Sequence, residues 1–154
     1  MIASLAKLPV KAMPAALAAG LATAAAAELW DSDAAWNLLN LASVSEAVVD
    51  DTWFAVKAFP EELRAATDDF LIEGYVVPIL AEPEISSFIL VQDPENCPFC
   101  GTGSGYAPVL EVILGEPIPS VEEFSRIRVQ GELELIDDPQ TFQMFVLVNA
   151  APVS

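Results

Sequence analysis

Cys97-Pro98-Phe99-Cys100-Gly101 holds both cysteines of this 154-residue chain, and two thiols at that spacing can do three kinds of chemistry. They can exchange disulfides, hold a soft metal ion, or close a short structural disulfide. For exchange, the first cysteine needs its thiolate stabilised, usually at a helix N-terminus or beside a cation. Gly101-Thr102-Gly103-Ser104-Gly105 does not propagate a helix, and Asp93 and Glu95 raise a thiol pKa instead of lowering it. For zinc, two thiolates need two more ligands. The chain has no histidine, so these would come from carboxylates such as Asp93 or Glu95, from a partner, or from a second copy. Two thiolates alone suit Cu(I) better. The structural disulfide needs nothing further, and closing so small a loop would contribute about 2 kcal/mol. It is the favoured reading of the pair, with zinc or copper binding second and thiol–disulfide oxidoreductase chemistry third.

The compartment enters that choice. Lys7 and Lys11 precede an alanine-rich apolar stretch from Ala12 to Ala26, and small residues Ala25-Ala26-Ala27 stand before Glu28. This three-part pattern reads as a secretory signal peptide over residues 1–27, cleaved after Ala27. A spanning helix is the competing reading, but Pro14, Gly20 and the acids from Glu28 onward break the segment. The expected protein is periplasmic or secreted, with no stable membrane anchor after cleavage, and in an oxidising compartment paired thiols are oxidised or metal-bound. Losing Lys7 and Lys11 leaves 23 acidic against 4 basic residues, a formal charge of −19. Such a chain is a poor match for nucleic acid or anionic lipid, and could attract cations or a basic partner surface. The missing histidine also removes the usual general base at neutral pH. The expectation is therefore a non-enzymatic protein.

About 127 residues remain after cleavage, enough for one domain. Residues 28–67 read as an N-terminal wrap. A capping signal at Ser32/Asp33 precedes a short helix or irregular turn through Leu39, Trp53 and Phe54 enter a strand or a docked loop, and Phe59-Pro60-Glu61-Glu62-Leu63-Arg64 opens one or two helical turns ending near Thr67. From Asp68 the pattern becomes β. Strands are predicted over residues 70–78, 87–91, 108–114, 126–135 and 142–148. The fourth alternates almost without fault, placing Ile127, Val129, Leu133 and Leu135 on or near the core and Arg126, Arg128, Glu132 and Glu134 in water. Gly74 and Gly131 fall inside strands, where glycine suits a bend or bulge at a barrel corner.

Five short strands with glycine bends predict a mainly β fold over residues 68–150, a five-stranded OB-like antiparallel barrel. Closure hides the edges that such apolar strands would otherwise expose. A β-sandwich is the runner-up, since seven strands are hard to find. The segment Asp93 to Tyr106 becomes the candidate binding loop, with Asp93, Glu95, Phe99 and Tyr106 as its recognition residues beside Cys97 and Cys100. Gly101 to Gly105 lacks the lysine and helix of a phosphate loop and reads as a flexible loop. Asp50-Asp51, Asp68-Asp69 and Asp137-Asp138 lack the alternating spacing of a calcium loop and read as turns and caps. Trp30, Trp36 and Trp53 precede the barrel and are expected to seal it with their rings.

The ordered set Trp36-Asn37-x-Leu39, Phe59-Pro60-x-Glu62-Leu63, Glu73-Gly74-Tyr75-Val76-Val77-Pro78-Ile79, Phe88-Ile89-Leu90-Val91 and Cys97 resembles a bacterial exported family catalogued as a domain of unknown function. The resemblance runs from about Trp36 to the last strand. Many relatives carry a histidine after that cysteine, where this chain has Pro98-Phe99-Cys100-Gly101. Relatives tend to accompany ABC-type permease components and zinc-responsive exported proteins. The resemblance thus implies an accessory role in periplasmic transport or metal homeostasis, with an ABC-type transport component as protein partner, and no catalytic residues carry over.

Overall fold

The computed structural model describes residues 32–96 and 108–153. The first element is a short helix, α1 (Ser32–Leu39), followed by a hairpin of β1 (Ser43–Val49) and β2 (Thr52–Ala58) and a single helical turn, α2 (Glu61–Arg64). Five longer strands follow: β3 (Phe70–Pro78), β4 (Glu84–Val91), β5 (Val109–Pro119), β6 (Arg126–Leu135) and β7 (Phe145–Pro152). These five close into a barrel in the order β3-β4-β5-β7-β6, with β6 pairing back onto β3. The fold is an OB-like closed barrel preceded by a short helix. Four of its five pairings are antiparallel and β5–β7 is parallel. A ring with an odd number of strands cannot alternate direction throughout, so one parallel pair is required.

The aromatic and β-branched run of β3 packs by turning alternate residues inward. Phe70, Ile72 and Val76 are buried while Leu71, Glu73, Tyr75 and Val77 stay half-buried. Inward residues of the other strands, among them Phe88, Leu90, Leu110, Val112, Val129 and Leu147, are fully buried in the same core. Val129 and Leu133 of β6 are in the core as expected, with Ile127 and Leu135 half-buried against it. On the outside, Glu73 takes Arg126 at 2.7 Å and Arg128 at 3.0 Å from the neighbouring strand. Arg126 reaches into solvent, so its pair contributes at most about 1 kcal/mol, while Arg128 and Glu73 are more covered.

One end of the barrel is closed by the N-terminal segment. Trp36 of α1 is 1% exposed and donates its indole N–H to the Glu73 carbonyl at 2.7 Å. Leu39, Phe59 and Leu63 complete this plug, Phe59 meeting Phe145 edge-on at 6.1 Å. Arg64 donates to the Phe59 carbonyl, and its guanidinium lies 5.6 Å from the centre of the Phe59 ring. Of the three tryptophans expected to seal the barrel, Trp36 does so, Trp53 belongs to the hairpin, and Trp30 lies outside the described residues.

Three boundaries differ from the sequence expectation. The N-terminal wrap contains a complete β-hairpin, whose Asp50 and Asp51 both have positive φ (50° and 60°). That is a two-residue turn of the mirror-image type that matches the twist of paired strands. β4 begins at Glu84 and β5 continues to Pro119, with a register shift between Ile85 and Ser87. The last strand starts at Phe145, so Phe142 to Met144 lie in the preceding loop. The aspartate pairs do serve turns: Asp69 has positive φ, and Asp138 accepts the Gln140 N–H at 2.8 Å. No helix among the described residues is long and apolar enough to cross a membrane.

Candidate binding surface

Asp93 and Glu95 sit where the candidate loop leaves β4. The Asp93 carboxylate accepts the Glu95 N–H at 2.9 Å, an Asx turn that starts the 3-10 turn Pro94–Asn96. Beside it, the Gln92 amide donates to Asp33 of α1 at 3.3 Å, tying the foot of the loop to the plug. Cys97, Phe99, Cys100 and Tyr106 lie outside the described residues, and the disulfide and metal readings of the cysteine pair lie there with them. Among the described residues no three Cys, Asp or Glu side chains gather as a metal site.

The loop springs from β4 and returns into β5, the second and third strands of the barrel. OB barrels commonly bind through this face and its adjoining loops. Because Phe88, Leu90, Leu110, Val112 and Leu114 point inward, the pleat turns Ser87, Ile89, Glu111 and Ile113 outward. The register sets Val77 beside Ile89, Ile89 beside Glu111, and Ser87 beside Ile113. Ile113 is 40% exposed. The outer face is thus an apolar strip with one carboxylate, Glu111, within it. Glu111 also accepts a hydrogen bond from the side-chain amide of Gln143.

Gln143 joins this face to the hairpin. Its backbone carbonyl accepts from the Lys57 ammonium at 2.6 Å, and the carbonyls of Ile136 and Asp138 accept from the same ammonium at 2.8 and 2.9 Å. Burial lowers the Lys57 pKa, and the nearby charges of Asp138 and Asp137 act in the opposite sense. Two further contacts fix the hairpin to the loop between β6 and β7. The Ala55 N–H donates to the Pro139 carbonyl at 2.8 Å, and Trp53 meets Phe142 edge-on at 4.7 Å. Sequence reasoning missed this mounting. Its one local signal was Phe142, an aromatic that a continuous strand reading assigns to the barrel.

The charge distribution follows from where the cations go. Lys57 faces three carbonyls, Arg64 faces Phe59, and Arg126 and Arg128 converge on Glu73. Every lysine and arginine among the described residues is thus engaged with the protein's own groups, while the chain as a whole carries 23 acids. The outward field is that of carboxylates. No family model matches the chain, and neither does any curated protein or solved structure.

Proposed function

We propose that the chain is an exported, non-enzymatic binding or accessory module that serves a transport system in an oxidising compartment. Its partner, a protein, docks on the outer face of β4 and β5 and on the loop Asp93 to Tyr106. The observation that carries this reading is the half-open strip of Val77, Ile89 and Ile113 around Glu111, on the same two strands from which the loop issues. An apolar strip with a single charge suits a specific protein contact, in which burial supplies affinity and the charge supplies orientation. A formal charge of −19 on the mature chain disfavours nucleic acid at this face despite the barrel's architecture.

Site-specific photo-crosslinking in the producing cell tests the reading. A photoreactive side chain at Ile113 is expected to give an adduct of defined mass that weakens when Glu111→Lys is added. The same group at Glu132, exposed on β6, should give none. Equal adducts at both positions, or none at Ile113, would count against it.

A further inference from the structure

The hairpin carries a second surface, separate from the outer face of β4 and β5 and standing whether or not that face binds. We propose that the outer edge of β1 accepts an extended basic segment of another protein as an added antiparallel strand, with a lysine or arginine opposite Glu46 and apolar residues opposite Val44 and Val48.

The hydrogen-bond phase of the hairpin fixes which groups are offered. Val49 and Thr52 flank the two-residue turn, and in such a turn they exchange both backbone hydrogen bonds. The phase alternates from there. Val49, Ala47, Ser45 and Ser43 bond toward β2, and Val48, Glu46 and Val44 turn their N–H and C=O groups away from it. The opposite strand confirms the phase, because Ala55, paired with Glu46, donates its N–H outward to Pro139. β2 is therefore covered on its outer side by the loop it is mounted on. Among the described residues β1 has β2 as its only strand partner, and no backbone group bonds to the outward groups of Val44, Glu46 and Val48.

An uncovered edge is a template for another chain, and proteins guard such edges with charge. Here the guard is selective. A second copy pairing through all three outward residues would bring Glu46 opposite Glu46, with Asp50 and Asp51 close by on both hairpins, between chains that each carry a large negative charge. Like charges directly opposite are destabilising. A basic residue in that position gains the cross-strand pair instead, and the acidic field draws it in. Val48, 62% exposed, and Val44 flank Glu46 on the same face, so the complementary segment presents apolar, basic and apolar side chains at every second position. Main-chain hydrogen bonds supply affinity in this mode and the alternate side chains supply choice.

The test uses the full mature chain and two synthetic acetylated, amidated heptapeptides, Thr-Val-Thr-Lys-Thr-Val-Thr and its counterpart with Glu in place of Lys. The expected result is slowed amide exchange at Val44, Glu46 and Val48 with the lysine peptide, and affinity at least about tenfold weaker for the glutamate peptide. In Glu46→Lys the preference should reverse. Glu46→Pro removes one outward donor and none that faces β2, so it should abolish the effect while Ser45 and Ala47 keep their native protection. Equal binding of both peptides, protection at these amides without peptide because copies pair with each other, or no change at them with either peptide would each overturn the proposal.

Discussion

Gly131→Val is expected to destabilise the barrel by about 3 kcal/mol or more, read as a fall in the denaturant midpoint at unchanged slope. A Cβ at this position would stand 2.6 Å from the Val148 carbonyl oxygen and 3.0 Å from the Ala150 Cα. Both are backbone atoms of β7, so no flexible side chain can move aside. The β6–β7 register shifts here, between Gln130 and Glu132, and the close approach of the two strands is how the barrel turns its corner. Gly115 is the control. Its nearest neighbour to an added Cβ is Asn149 at 3.7 Å, an ordinary contact, so Gly115→Ala should stay within about 0.5 kcal/mol of the parent. Equal effects at the two glycines would contradict the corner.

Trp36→Ala carries the second large expectation, a loss of about 3–5 kcal/mol. α1 has eight residues and is too short to hold together by its own hydrogen bonds. It stays helical because Trp36 anchors it over β3, and Gly74 is what admits the ring. A Cβ on Gly74 would lie 2.9 Å from the indole Cζ2 and 2.7 Å from the Val91 carbonyl oxygen. Removing the indole opens a cavity and leaves the Glu73 carbonyl without its donor. Trp36→Phe keeps most of the apolar volume and loses the donor, so it should cost about 1–2 kcal/mol. Amide exchange reads the same event locally, since Trp36→Ala should also release protection in α1. If Trp36→Ala costs under about 1 kcal/mol, α1 is not part of the core.

What the sequence revealed and what it hid divide along physical lines. β3 and β6 were legible because each carries its own information: β3 an aromatic and β-branched run, β6 alternation on a two-residue period, and both a glycine where neighbouring backbone approaches. The hairpin was not. Ser43-Val44-Ser45-Glu46-Ala47-Val48-Val49 has a weak alternation, and its turn uses Asp50-Asp51 in place of the Asn-Gly that announces a mirror-image turn. What holds the hairpin is non-local, the Lys57 ammonium against three carbonyls nearly eighty or more residues away. No local window contains that contact. β7 was placed early for the same reason, since Phe142 continues the apolar run in sequence while its ring serves Trp53. At the site, Asp93 and Glu95 were found at the loop's foot through their neighbourhood to the cysteines. The outer strip needed the pairing of β4 with β5 before Ile89, Glu111 and Ile113 could be seen as one surface.

The claim that this is an exported binding module, and not a metal carrier working through Cys97 and Cys100, meets its most direct test in native mass spectrometry. The protein is recovered from the producing cells without chelator or reductant. The predicted spectrum is a metal-free chain beginning at Glu28, two hydrogens lighter than the reduced form, as a disulfide between the two cysteines requires. A bound zinc or copper ion that leaves on acidification, and is lost in Cys97→Ser, would contradict it.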